Sequence, residues 1–323
     1  MRPSQIDFKW LLFASLLPYM VGGQELNNAQ VSFVLPIVAH GSNIIMSNDD
    51  GWAEINLRTF YDTLNSAGEA PVVSAPAENK SGTGSLDGEA DEVEDGCEFE
   101  SCPPGSPAVG FNSSDPRLNY VNSLPVTSMA YGISTLSPKF FQGPPDFAVT
   151  GPNVGSNLDV QVPFSGTVGA AVEAIKTGIP AIAFSGRSGS QTGWTAPTPG
   201  YSIVYAQLAT NLTATILNSG KPYLPEGVWL NVNFPASSST SCSSVSDFEF
   251  VLSRIFPAIP FFEPDDVETC GDDRLPLERK VTGMDGCYVS ISVGDSNKLD
   301  ADAAAQAVVL KKLGGLLTCL PSD

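Results

Sequence analysis

Histidine is almost missing from this chain: its 323 residues include one, His40. A Ser-His-Asp hydrolase, a His-ligated zinc centre and a phosphohistidine enzyme each need histidine at a defined place. No G-x-S-x-G, H-E-x-x-H or R-H-G stretch occurs. His40 reads as a strand-edge residue, so any catalysis is expected to rest on oxygen groups. Positive charge is scarce as well, with 16 Lys and Arg against 35 Asp and Glu and a net charge of −19. A polymer-binding protein needs a basic footprint to displace counterions from phosphates, which excludes nucleic acid as a docked polymer. A small phosphorylated molecule stays open, because a bound cation can supply positive charge locally. The apolar run from Trp10 to Val21 falls short of the ~20 residues that span a bilayer.

What is present describes a globular, exported chain. Hydrophobic residues make up 42% and charged residues 16%, which excludes global disorder. Arg2 and Lys9 precede the apolar Trp10–Val21 run, and Gly22-Gly23 supplies small residues at its end. Residues 1–23 therefore read as a secretory signal, with a mature start near Gln24 and an N-terminal extension over 24–42. The expected location is secreted and extracellular, with no membrane association after cleavage. Six cysteines (97, 102, 242, 270, 287 and 319) fit an oxidising compartment and up to three disulfides. Fifteen pairings are open, although Cys97 and Cys102 are close enough to pair locally. Asn79, Asn112 and Asn211 head glycosylation sequons.

From Asn43 the pattern alternates between strand and helix. Asn43–Ser47 is a short apolar run that stops in Asn48-Asp49-Asp50-Gly51. Leu57, Phe60, Tyr61, Leu64 and Ala67 follow at helical spacing, then a strand over Ala70–Pro76. This β-α-β unit argues for an α/β fold with a mostly parallel sheet. Residues 84–120 carry Gly, Pro, Ser and an acidic run, and read as an exposed insertion, surface rather than lid. Helices are expected near 127–136, 167–177 and 201–218, with strands over Asp146–Thr150, Ile179–Phe184 and Val228–Asn233. Beyond a serine-rich stretch at 236–246, strands near 247–254 and 287–293 suggest a hairpin-like arm, and Ala301–Leu317 a final helix. The core is thus expected over 43–235, with 236–323 as a C-terminal arm and helix of the same domain.

Ligands of open α/β sheets bind at the carboxyl ends of strands. Polar, glycine-containing segments fall there: Ser47–Gly51, Asn79–Gly84 and Thr150–Asn157, while Phe164–Gly169 opens a helix. Two adjacent carboxylates after a buried strand repel unless a cation offsets them, and hard oxygen ligands suit Mg²⁺, Mn²⁺ or Ca²⁺. The same Asp49-Asp50 pair could instead cap the next helix. Ser165-Gly166-Thr167 offers backbone N–H groups and a helix dipole for phosphate, or an ordinary N-cap.

Taken in order, S-N-D-D-G, A-P-x-x-N-K-S-G-x-G, V-T-G-P-N-x-G-x-N and F-S-G-T-V-G-A-A resemble the SurE (survival protein E) phosphatase family, as do Gly178–Ala183 and Leu230–Pro235. The resemblance covers about residues 43–235. It implies a Rossmann-like three-layer fold with a C-terminal β-arm, and a divalent-metal-dependent phosphomonoesterase of the acid phosphatase or 5′-nucleotidase type. Its cofactor would be one divalent cation, Mg²⁺ or Mn²⁺, and its substrate a small phosphorylated molecule. By motif position Asp49, Asp50, Ser81 and Asn153 would be metal ligands, and Asp49 or Asp50 the general base. Ser165, Gly166 and Thr167 would cradle phosphate, with Asn157 and Lys80 nearby. Lys80 stands where the family usually has arginine, and its point charge lacks the bidentate fork. The family's G-T-P-A-D-C segment appears only as Ser123–Ser128. The C-terminal arm resembles the segment through which relatives form dimers, implying a homodimer. The alternative is a secreted, non-catalytic protein of the same fold that binds a phosphorylated ligand or a surface.

Overall fold

The computed structural model describes residues 41–259 and 262–321. The signal segment, Gln24, the 24–42 extension up to residue 40 and His40 lie outside the described residues. Nine strands form one sheet in the order β3-β4-β2-β1-β5-β6-β7-β9-β8. They are β1 (Asn43–Ser47), β2 (Ala70–Pro76), β3 (Val109–Asn112), β4 (Asp115–Val121), β5 (Phe147–Val154), β6 (Ala181–Gly186), β7 (Trp229–Phe234), β8 (Glu249–Ser253) and β9 (Tyr288–Gly294). Strands β4, β2, β1, β5, β6 and β7 run parallel, so their carboxyl ends share one edge.

Helices cover both faces, giving the three-layer α/β arrangement. On one side lie α1 (Ile55–Ser66), α5 (Gly200–Asn218) and α7 (Ala303–Leu313); on the other lie α2 (Pro125–Tyr131) and α4 (Gly166–Lys176). Between them in sequence, α3 spans Ser137–Phe141, and α6 spans Glu278–Gly283. Strand alternation decides which side each residue faces. Ile44 and Met46 join Leu57, Phe60 and Leu64 of α1, whereas Ile45 joins Met129 of α2 and Val168 of α4. The α1–α5 side is packed with large residues such as Phe147, Phe184 and Phe234. The α4 side is lined by Ala148, Ala181 and Ala183 against Ala170, Ala171 and Ala174. Small residues on both partners bring α4 close to the sheet, which sets its N-terminus beside the end of β1.

Two expectations change. Residues 84–120 are not wholly an excursion, because β3 and β4 add two strands, β4 parallel to β2 and β3 antiparallel to β4. The 247–254 and 287–293 strands form no hairpin arm. β9 pairs antiparallel with β7 and β8 pairs parallel with β9, so both extend the main sheet. The disulfides are Cys97–Cys102, Cys242–Cys287 and Cys270–Cys319, and no described cysteine is free. The last two tie the C-terminal strands and tail to the sheet. None of the described helices is long and apolar enough to cross a membrane.

Candidate active site

The apolar run of β1 ends at the shared carboxyl edge, where Asn48, Asp49 and Asp50 are buried. Asn48 donates its Nδ2 to the carbonyl of Gly51 at 3.0 Å, closing a turn in which Gly51 has φ +102°. An L side chain is strained at that angle. A Cβ there would also stand 2.5 Å from Oε2 of Glu98.

Asp49 and Asp50 do not cap α1. Glu54 does so, accepting from the Asn56 N–H at 2.6 Å. Asp49 turns instead toward the start of α4. Its Oδ2 accepts from the Gly166 N–H at 3.1 Å, and its Oδ1 accepts from the Thr167 hydroxyl. Gly166 is required by this approach, since a Cβ on it would lie 2.8 Å from Cβ of Asp49. Asp50 Oδ2 accepts from the Val154 N–H at 2.7 Å, and its Oδ1 accepts from Nε2 of Gln191. Burial raises both carboxyls above the usual range, and for Asp50 the Asp49 charge adds to the rise. The positive end of α4 and the donors on Asp49 act the other way.

The phosphate-loop candidates share this edge but are partly committed. Ser165 N-caps α4, its Oγ accepting from the Val168 N–H at 3.1 Å. Lys80 is held against the site by its backbone, whose N–H donates to the carbonyl of Asp49 at 2.6 Å. Its Nζ pairs with Glu78 at 3.1 Å, so the charge expected for phosphate is shared with a carboxylate. Ser81 is exposed on the same loop, its N–H bonded to Oδ1 of Asn79 at 2.8 Å. Asn153 sits at the end of β5 and spends its Nδ2 on the Gly155 carbonyl at 2.6 Å, leaving its Oδ1 as an acceptor. Asn157 departs from expectation. Its Nδ2 donates to Ser185 Oγ at 2.8 Å and its backbone is bonded to Asn231 and Asn233. It buttresses the strand ends rather than opening onto the cradle.

Three groups here escaped the sequence reading. Gln191, on the loop after β6, reaches Asp50 across 141 residues. Glu54, wholly buried, has its carboxyl pushed up to about 8 by burial, and its Oε1 has no hydrogen-bond partner among the described residues. Glu98 comes from the segment read as plain surface; burial pushes it up to about 7. Its backbone N–H donates to the Ala77 carbonyl at 3.0 Å, docking the Cys97–Cys102 loop beside Gly51. An acidic residue in a turn-rich, cysteine-bounded loop was the only available signal.

No group of three or more His, Cys, Asp or Glu placed to hold a metal occurs among the described residues. The oxygen donors around the pair nevertheless fit a hard cation. They comprise two carboxylates, the Asn153 carbonyl oxygen and the buried Oδ1 of Asn48, which lacks a hydrogen-bond partner among the described residues.

The family model of Survival protein SurE matches residues 44–252, which covers the strands and loops just described. Over the whole chain, 32% of residues are identical to an acid phosphatase of Yarrowia lipolytica, 98% of which is covered. A 5′-nucleotidase SurE of Lawsonia intracellularis is 31% identical over 61% of this chain and 67% of its own length. The solved structure of SurE protein from Aquifex aeolicus overlays 84% of this chain and 99% of its own, with a TM-score of 0.56 at 20% identity. That last likeness concerns the fold. On the matched domain and the full-length relative together, the chain belongs to the SurE family.

Proposed function

We propose that this chain is a divalent-metal-dependent phosphomonoesterase, acting on nucleoside monophosphates or similar small phosphate monoesters. The observation that carries the reading is the buried Asp49–Asp50 pair at the sheet edge, with Asp49 hydrogen-bonded to the first two residues of α4. The acid phosphatase and 5′-nucleotidase names of the relatives point the same way.

Asp49, Asp50 and Asn153, with the exposed Ser81 hydroxyl of the adjoining loop, would hold the cation, Mg²⁺ or Mn²⁺, and the buried Oδ1 of Asn48 offers a further oxygen. When bound, it supplies Lewis-acid polarisation of the phosphoryl oxygen and a lowered pKa for water. The chain's own groups do the rest. Gly166 and Thr167 offer donors at the positive end of an 11-residue helix, where phosphate oxygens are favoured. The same donors hold Asp49 in this structure, so the carboxylate and the phosphate would share one hydrogen-bonding centre. Ser165 fixes the helix start that aims them. The Val154 N–H and Gln191 orient Asp50. One of the two carboxylates takes the proton of the attacking water. Lys80 adds positive charge at the rim, tempered by Glu78.

Phosphate release from a nucleoside monophosphate, measured with chelator and then with Mg²⁺ or Mn²⁺ restored, tests the reading. Turnover is expected to vanish and return; chelator-insensitive turnover refutes it. The three disulfides support a secreted location, checked by an extracellular form whose N-terminus lies near Gln24. The homodimer implied by a C-terminal arm loses that support, since β8 and β9 extend the main sheet; light scattering of the extracellular form reads the assembly directly.

A further inference from the structure

Beside the Asp50 loop lies a cleft of about 530 Å³ walled by aromatic side chains. Trp52 and Tyr120, both buried, form a tilted pair with ring centroids 5.1 Å apart. Trp194 and Phe111 line it while 41% and 55% exposed, so both rings present open surface to it. The volume lies in the ~300–1,000 Å³ range of small-molecule pockets. Much of the wall comes from β3, β4 and the Cys97–Cys102 loop, that is, from the 84–120 segment and its end.

The aromatic walls are fixed in advance. The guanidinium of Arg58 stacks on both indoles, 4.9 Å from the Trp52 ring centre and 5.2 Å from that of Trp194. Arg58 is 7% exposed, its Nε donates to the Trp52 carbonyl at 2.6 Å, and its Nη2 has no hydrogen-bond partner among the described residues. A cation held between two rings pins them at low entropic cost to a ligand. The polar tips of the buried rings are already engaged. Trp52 Nε1 donates to Ser101 Oγ at 2.9 Å, and the Tyr120 hydroxyl donates to the Pro107 carbonyl at 3.1 Å. A sugar would find few free partners among these rings for its hydroxyls, and burying unpaired hydroxyls is unfavourable. A flat ring needs only an open face, which Trp194 and Phe111 supply while the buried Trp52–Tyr120 pair backs the cleft.

We infer that this cleft binds a planar aromatic or heteroaromatic ring, such as a nucleobase. Its position relative to the chemistry is set by the chain. Trp52 follows Asp50 by two residues, and Trp194 follows Gln191, the donor to Asp50, by three. The ring can belong to the leaving group of the substrate, which rests on the phosphatase reading above, or to a free aromatic molecule, which does not.

Tryptophan fluorescence of the full mature chain, titrated with adenosine, tests the site without any turnover. A saturable quench is expected, weakened at least tenfold in apparent affinity by Trp194→Ala and, separately, by Phe111→Ala, an exposed edge position that leaves the core intact. No saturable quench overturns the inference. So does a quench of equal affinity in both variants, or equal saturation by methyl α-glucopyranoside. The source of the ring is read from phosphate release with glycerol phosphate, a substrate without a ring. Competitive inhibition by adenosine assigns the ring to the leaving group. Full activity at quench-saturating adenosine assigns it to a separate ligand. Failure to release phosphate from any ester would instead refute the phosphatase reading and leave the fluorescence result standing.

Discussion

The hydroxyl of Thr167 donates to the carboxylate of Asp49 across 118 residues of chain. With the Gly166 N–H, that bond joins the end of the first strand, and so the acidic pair, to the start of α4. Asp49 is 2% exposed and Thr167 fully buried, so the bond is made where solvent screens it least.

Replacing Asp49 with Asn separates chemistry from architecture. The Gly166 N–H can still be accepted by the Asn oxygen, and the Thr167 hydroxyl can rotate to accept from the new amide. Removal of one of two neighbouring negative charges also relieves repulsion. Metal-free thermal stability is therefore expected to stay within about 1 kcal/mol of wild type, the scale of one hydrogen bond. Phosphate release is expected to fall by two orders of magnitude or more. A melting curve with chelator and a turnover assay with Mg²⁺ check the two halves. Unchanged turnover would remove Asp49 from the machinery.

Gln191 is predicted to act on Asp50 through orientation. Gln191→Ala frees Asp50 Oδ1 from its donor. The concentration of Mn²⁺ that half-saturates thermal stabilisation should rise, with kcat reduced and KM for the phosphate ester little altered. A change confined to KM would count against this role.

Buried acids should make the metal-free protein acid-stable. Glu54 and Glu278 are both pushed up to about 8, chiefly by burial, from 4.5. A carboxyl whose folded pKa is raised holds more protons folded than unfolded, so its contribution is complete below about pH 4.5 and fades as pH rises toward 8. Thermal midpoints measured in chelator should thus decline over that window. Glu54→Gln keeps an oxygen for the Asn56 N–H and should flatten the decline. A midpoint that climbs through the window would contradict this assignment.

Disulfide contributions should rank by the loop each closes. Cys242–Cys287 and Cys270–Cys319 span 45 and 49 residues, against 5 for Cys97–Cys102. Chain-entropy arguments give about 4 kcal/mol for each long loop and about 2 for the short one. Paired Cys→Ser variants compared by denaturant unfolding test that order. The native chain should show no reactive thiol under denaturing, non-reducing conditions.

Asn79 is predicted to stay largely unglycosylated in active protein, because a glycan there would crowd Ser81, two residues along the loop bonded to Asp49. Peptide mapping that found Asn79 fully occupied in active enzyme would refute this; Asn112 and Asn211 are the expected acceptors.

Local sequence determined the elements whose signal is periodic. Asn43–Ser47 reads as a buried strand because a short apolar run stops abruptly in the polar Asn48–Gly51, and four of its five residues are indeed interior. The helix at 166–176 and the strands at 181–186 and 229–234 follow from the same alternation and from flanking turns. The ordered motifs also identified the edge at which Asp49, Asp50, Asn153, Gly166 and Thr167 meet. β4 escaped because Asp115-Pro-Arg at its start hides the buried Leu118–Val121 end. The C-terminal pair was misread as a hairpin because strand sequence carries no record of which neighbour it joins, and β9 enters between β7 and β8.

Tertiary structure alone decided who stands beside whom. Which two cysteines pair, that Glu54 rather than Asp49 caps α1, that Asn157 braces strands, and that Gln191 and Glu98 reach the Asp49–Asp50 turn are all long-range outcomes. Residue type and spacing set which chemistry a segment can offer. Only the packing of helices on a shared sheet fixes distances between segments a hundred residues apart, and hydrogen bonds and burial act over those distances.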